Sequence, residues 1–112
     1  MAGSAEPVIA LVFRYEVRDA AEFERVYGPK GEWAQFFRGG AGFIGTELLR
    51  DVEEPQRYLV IDRWASADAY NAFVADHEDE YLRRSDDARL HYLQELRFGT
   101  FENVWHEDPA AP

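Results

Sequence analysis

Residues 57–77 read RYLVIDRWASADAYNAFVADH, and how this stretch divides decides the fold. Arg57–Trp64 predicts a strand, with Leu59, Val60 and Ile61 at its centre. Ser66 predicts the N-cap of a helix, and Asp68 suits the positive first turn of that helix. From there Tyr70, Phe73, Val74, His77 and Tyr81 recur at i, i+3, i+4, i+7 and i+11. That is one continuous apolar face, so the spacing predicts a helix running through His77. The polar stretch Arg83–Arg89 continues it with a break near Ser85, and Leu90, Leu93 and Leu96 extend the apolar pattern.

Upstream, Glu53-Glu54-Pro55-Gln56 predicts a turn, and Phe43–Asp51 a second strand that forms an antiparallel hairpin with the first. Before it lies AAEFERVYGPKGEWAQFFRG, residues 20–39. Asp19 and Glu22 make a capping-box-like start, and Phe23, Val26 and Tyr27 follow at helical spacing. Pro29 inside a helix costs about 3 kcal/mol, so Gly28-Pro29-Lys30-Gly31 divides this segment. Glu32–Arg38 resumes it with Trp33, Phe36 and Phe37 on one side, and Gly39-Gly40-Ala41-Gly42 ends it.

At the N-terminal end, Val8–Val17 reads as a strand with Ile9, Leu11, Phe13, Tyr15 and Val17 on one face. Val8, Ala10 and Val12 lie on the other, which turns polar at Arg14 and Glu16. Arg97–Trp105 reads as the last strand. The order is β, broken α, β, β, α, β. It predicts a ferredoxin-like α+β sandwich, a four-stranded antiparallel sheet with helices on one face, over residues 7–105. Residues 1–6 and 106–112 read as flexible tails. The uncovered face, carrying Val8, Ala10 and Val12, predicts a homodimer that packs two sheets together, with Arg14 and Glu16 forming an ion pair across the interface.

The composition narrows the function. Aromatic residues make up 15% of the 112, namely 8 Phe, 6 Tyr and 3 Trp. That much large apolar surface in a small domain predicts either a covering subunit or a pocket. With no cysteine, thiol catalysis, disulfides and iron–sulfur sites are excluded. The net charge of −10 argues against nucleic acid and anionic membrane as partners. No stretch approaches the roughly 20 apolar residues of a membrane span, and no signal peptide is read, so the expected location is cytoplasmic.

Four stretches carry a family resemblance: PVIALVFRYEV, FIGTELLRD after a glycine, YLVIDRWASADAYNAFVADH and FGTFENV. Together they span about residues 7–105 and resemble the antibiotic biosynthesis monooxygenase family, within the dimeric α/β-barrel superfamily. The resemblance implies a dimeric α/β barrel and, from the quinone-forming members, a monooxygenase that uses no metal, flavin or other cofactor. In that chemistry a small aromatic or polyketide-type substrate loses a proton and its anion reduces oxygen directly, which requires a dry aromatic pocket and a proton acceptor. The haem-degrading branch does not match. Its strand asparagine falls in the apolar Leu11–Phe13, its helix tryptophan on Phe73 and its histidine on Arg83. The alternative to an oxygenase is a non-catalytic dimeric small-molecule-binding or stress-related protein.

His77 is the candidate proton acceptor, its unperturbed pKa lying near neutrality. It also reads as a core histidine held by a backbone carbonyl or by Asp62. The candidate pocket comprises Phe13, Trp33, Phe37, Trp64, Tyr70, Phe73 and Tyr81, which otherwise read as plain core. Lys30 and Gly31, at the start of the second helical piece, are a candidate anion-binding helix start, against the plainer reading of a bend that follows the sheet. Asp76-His77-Glu78-Asp79-Glu80 reads as a solvated acidic face, with no metal expected.

Overall fold

The computed structural model of the chain describes residues 6–104. Trp105 and the expected tail at 106–112 lie outside the described residues, as does most of the expected lead-in. The elements are β1 (Ile9–Glu16), α1 (Ala20–Tyr27), α2 (Glu32–Phe37), β2 (Phe43–Arg50), β3 (Arg57–Trp64), α3 (Ala67–Asp76), α4 (Glu78–Ala88), a 3₁₀ turn (Arg89–His91) and β4 (Gln94–Glu102). The four strands form one antiparallel sheet in the order β2-β3-β1-β4. This is the ferredoxin-like arrangement expected from the element order.

Local chemistry sets the helix starts. Asp19 accepts the Glu22 N–H at 3.1 Å, and Ser66 Oγ accepts the Ala69 N–H at 3.0 Å. Between α1 and α2, the Gly31 N–H donates to the Gly28 carbonyl at 2.9 Å, closing a tight turn. A Cβ at Gly31 would strike the Val26 carbonyl oxygen and lie 2.6 Å from that of Arg25. The turn therefore admits only glycine, and it swings Trp33 and Phe37 back over the sheet.

The helix-covered face of the sheet alternates cleanly. Ile9, Leu11, Tyr15 and Val17 are buried on β1 and just beyond it; Tyr58, Val60, Asp62 and Trp64 are buried on β3. Two aromatic clusters result. One gathers Tyr15, Phe23, Val26, Tyr27, Tyr58 and Val60; the other gathers Ile9, Leu11, Phe36, Phe37, Trp64 and Phe73. Phe13 and Trp33 pack against both. The core is thus two packed lobes with a seam between them.

Two expectations are corrected. The helix expected to run through His77 breaks there: His77 ends α3 and starts α4, with φ −125° and ψ 33°. The acidic run explains the break. A restart places Glu78, Asp79 and Glu80 in a positive first turn instead of mid-helix. Ser85, where a break was expected, lies inside α4. The apolar spacing of Leu90, Leu93 and Leu96 does not extend the helix either. Leu90 and Leu93 are exposed, and Leu96 sits in β4, which begins three residues earlier than expected. The reason is non-local: the Leu93 N–H donates to the Glu16 carbonyl at 2.7 Å, and Gln94 pairs with Glu16. Within its own chain, Glu16 pairs with Arg57 at 2.8 Å.

Candidate functional site

A cavity of about 150 Å³ opens at the seam between the two lobes. β1 contributes Phe13 and Tyr15, β3 contributes Val60 and Asp62, and β4 contributes Glu95. The helical wall is Tyr27 from the end of α1, Trp33 and Phe37 from α2, and Tyr81, Ser85 and Ala88 from α4, with Tyr92 beyond the 3₁₀ turn. The glycine turn before α2 makes this wall possible. It brings Trp33 edge-on to Tyr81 at 5.7 Å between ring centroids and beside Phe37 at 5.5 Å. A cavity of this volume accommodates about one benzene ring.

Two polar regions interrupt the aromatic lining. The first is Asp62, only 9% exposed. Its Oδ1 accepts the Thr46 hydroxyl at 2.7 Å, and among the described residues no basic side chain pairs with it. Burial pushes its carboxyl up to about 6, with the Thr46 hydrogen bond pulling the other way. At neutral pH it is therefore mostly an ionised, poorly solvated carboxylate, a base matched to proton transfer near pH 7.

The second region lies on the β1–β4 side. Tyr15 donates its hydroxyl to Glu95 Oε2 at 2.5 Å. Tyr15 stacks obliquely on Tyr27 at 4.9 Å and on Tyr92 at 5.1 Å. Burial raises the Tyr15 hydroxyl far above its ordinary range, and neighbouring Tyr27 and Glu95 add to this. Tyr27 is also raised by burial, while its hydrogen bonds with Tyr15 and Trp33 act in the opposite sense. These phenols stay protonated and act as donors.

The cavity takes Phe13, Trp33, Phe37 and Tyr81 from the pocket expected from the sequence. Trp64, Tyr70 and Phe73 do not line it. Trp64 and Phe73 are buried in the second lobe, with Tyr70 packed against it, and the Tyr70 hydroxyl reaches that of Tyr81 at 3.4 Å. Trp64 is fully buried, and its Nε1–H finds no acceptor among the described residues.

His77 stands outside the cavity, exposed at the junction of α3 and α4. Its Nδ1 lies 3.0 Å from the Phe73 carbonyl oxygen and its ring stacks on Phe73 at 4.3 Å. The structure brings it to a backbone carbonyl and not to Asp62. Lys30 and Gly31 line a separate open depression with Glu24, Arg25, Gly28 and Pro29. There the Lys30 carbonyl accepts from Gln35 Nε2 at 2.7 Å and the Pro29 carbonyl from Arg38. In the acidic run, Glu80 is held by Arg84 at 2.8 Å.

Sequence reasoning did not single out Asp62, Tyr15, Tyr27, Tyr92 or Glu95 as site residues. For Asp62 a signal existed: it is the one acid on the alternating inward face Tyr58, Val60, Asp62, Trp64. A charged residue there, on a strand paired on both sides, is out of place unless used. Glu95 carried no such signal, because its neighbourhood reads as helical.

The sequence profile of the antibiotic biosynthesis monooxygenase family matches residues 9–82. Among curated proteins, none matches the chain. The chain is similar to a variant of SnoaB from Streptomyces nogalater, described as a cofactor-independent oxygenase. The TM-score is 0.74 at 26% identity, over 89% of this chain and 96% of that one. A second structure of SnoaB gives a TM-score of 0.71 at 24% identity, over 94% and 99% of the two chains. A conserved protein from Methanosarcina mazei Go1 gives 0.61 at 12% identity, over 91% and 98%. These last two likenesses speak to the fold alone.

Proposed function

This chain belongs to the antibiotic biosynthesis monooxygenase family, and from that premise we propose that it is a cofactor-independent oxygenase of a small aromatic or polyketide-type molecule, with Asp62 as proton acceptor. The observation that carries this reading is a buried carboxyl with a single hydrogen-bond partner among the described residues, facing an aromatic cavity. The likeness at 26% identity to an enzyme described as a cofactor-independent oxygenase points the same way.

The chemistry follows from the lining. Asp62 takes a proton from an acidic methylene conjugated to a ring carbonyl, and becomes neutral as the substrate becomes an anion. Asp62 is then no longer a like charge beside the anion, and the ring walls leave it poorly solvated and strongly reducing. The carbanion delivers two electrons to oxygen as a carbon–oxygen bond forms, giving a peroxide anion. Asp62 returns its proton to that peroxide, and loss of water leaves a new carbonyl. The balance is one substrate methylene and one O₂ to one carbonyl and one water.

The test is oxygen uptake by chelator-dialysed protein supplied with an anthrone or a quinol. Asp62→Asn should lower the rate by about 10²–10⁴-fold, the usual contribution of a positioned base. No uptake above the protein-free rate, or full activity in Asp62→Asn, would overturn the reading. One observation favours the alternative of a non-catalytic binder: among the described residues no cationic side chain lines the cavity to hold an anion. A ligand-induced rise in melting temperature without oxygen uptake would select it.

The same reading makes the protein a homodimer in the cytoplasm, with neither nucleic acid nor membrane as partner. No described helix is long and apolar enough to cross a membrane. Support for the dimer comes from the sheet face turned away from the helices. Val12 lies there against Gly99, Ala10 against Phe101 and Leu49 against Leu59. Leu49, Leu96, Phe98 and Phe101 stand 42–52% exposed on β2 and β4. Such a patch calls for a cover, and a second copy supplies a matching one.

A further inference from the structure

Asp62 owes its hydrogen bond to an irregularity in the neighbouring strand. β2 pairs with β3 at Phe43 and Trp64, and an even register from there would place Gly45 opposite Asp62. The register shifts between Phe43 and Gly45, so that Gly45 meets Arg63 and Thr46 meets Asp62. A bulge of this kind re-aims a side chain, and here it sets a hydroxyl where a glycine would have stood. The Thr46 hydroxyl donates to Asp62 Oδ1 at 2.7 Å. Opposite Asp62 on its other flank is Leu11 of β1, whose side chain has nothing to donate.

The two carboxyl oxygens are therefore unequal. Oδ1 is tied to β2, while Oδ2 takes no hydrogen bond among the described residues. Oδ2 is nevertheless not sealed: of the described side chains that are not exposed, only Trp64 has a polar atom both sealed and unpartnered. Asp62 lines the cavity, and with Oδ1 committed to β2, Oδ2 is the oxygen left to face it. We propose that Thr46 is the positioning residue of Asp62: it holds Oδ1 and so presents Oδ2 as the oxygen that takes the substrate proton and later returns it. The proposal rests on Asp62 being the base of the oxygenase reaction. Thr46 does not itself line the cavity, so it acts through Asp62 and not on the substrate.

The hydroxyl also favours the ionised carboxyl, because a donor holds an anion more tightly than a neutral acid. In this it works against burial. The other titratable groups lining the cavity are Tyr15 of β1, Tyr27 of α1, Tyr81 of α4, Tyr92 and Glu95 of β4. Tyr70 of α3 meets Tyr81. β1 separates β4 from β3, and Arg97 of β4 donates to Thr100. Arg63 and Glu47, the chain neighbours of Asp62 and Thr46, pair with each other at 2.9 Å. Removing the Thr46 hydroxyl therefore acts on Asp62 and leaves these groups with their own partners.

The test compares the wild type, Thr46→Val and Thr46→Ser as full chains. The Asp62 carboxyl is titrated by NMR, and anthrone-driven oxygen uptake is followed over the same pH range. Valine keeps the branched shape that suits a strand and lacks only the hydroxyl. In Thr46→Val the carboxyl midpoint should rise by about one to two pH units, the effect of losing a hydrogen bond to a charged group. The pH–rate profile should move with it, so that kcat at pH 7 falls by about two- to tenfold while KM is unchanged. Thr46→Ser, which restores the hydroxyl, should keep the midpoint and kcat near those of the wild type. The proposal is overturned by a midpoint that stays or falls in Thr46→Val, by a serine variant that behaves like the valine one, by a change in KM instead of kcat, or by a rate profile that does not follow the midpoint. If none of the three proteins takes up oxygen but the midpoint shift and its rescue by serine are present, the oxygenase reading fails and Thr46 stands as the residue that positions the carboxyl.

Discussion

Replacing Asp62 by asparagine should make the protein more stable at neutral pH while ending its proposed activity. The Asp62 carboxyl rises from its ordinary 3.8 to about 6 because burial disfavours its charge. The native state therefore holds this proton more tightly than the unfolded chain does. Between pH 3.8 and 6 the native state binds more protons, so stability falls as pH rises. Below that window the carboxyl is neutral in both states and costs nothing. Above it the full penalty applies: at about 1.36 kcal/mol per pH unit, roughly 3 kcal/mol. An asparagine keeps the Thr46 contact, because its amide oxygen can still accept the hydroxyl, and it carries no charge at any pH. The assay is urea unfolding of both proteins at one protein concentration from pH 4 to pH 7.5. The exposed carboxylates Glu16, Glu22 and Asp51, whose pKa values are lowered by their partners, titrate alike in both proteins and cancel in the difference. The variant should match the wild type near pH 4 and exceed it by up to about 3 kcal/mol at pH 7. A difference that stays flat across this range, or a variant that is less stable at pH 7, would refute the assignment of a buried, uncompensated charge. A gain in stability at the cost of activity is what a strained functional group predicts.

Four further outcomes follow from the same geometry. The apparent second-order rate constant of oxygen uptake should rise with pH, reach half its maximum near pH 6 and then level, since only the ionised Asp62 accepts a proton; a profile still climbing above pH 8 would assign the base elsewhere. Gly31→Ala should destabilise the protein by about 1–3 kcal/mol in urea, because the new methyl meets backbone carbonyl oxygens that cannot move aside. Lys30→Glu, next to it but exposed, should change neither stability nor oxygen uptake measurably. Phe101→Asp on the outer sheet face should shift the light-scattering mass from twice the 13.0 kDa formula mass toward the formula mass itself; a wild type that is already monomeric at micromolar concentration would remove the dimer.

Most of the scaffold is legible in the residues because the signals are local. The Asp19 and Ser66 caps, the apolar spacing of Phe23, Val26 and Tyr27, and the hairpin around Pro55 each act within a few positions. The errors fall where the deciding contact is distant or electrostatic. Leu90, Leu93 and Leu96 keep a helical spacing, but the Glu16 carbonyl captures the Leu93 N–H and draws the chain into β4. Tyr70 to Tyr81 keep one apolar face, but four clustered carboxylates favour a second helix start over an unbroken helix.

The site divides in the same way. Phe13, Trp33, Phe37 and Tyr81 were recoverable as large aromatic rings on inward faces. Their neighbours Trp64 and Phe73 have the same chemistry and are solid core. Only the three-dimensional packing separates them, since the seam lies between two lobes assembled from residues far apart in the chain. His77 is a proton acceptor by residue type, yet the helix junction turns it to solvent. Asp62 has an unremarkable pKa by type, and it becomes a base because the packing around it excludes water. By itself, then, the sequence determined the strands, the caps, the glycine turn and the aromatic stock, all consequences of short-range sterics and hydrogen bonding. Which rings face a void, and which carboxyl is stripped of water, was decided by the tertiary structure alone, because desolvation depends on everything that packs around a group.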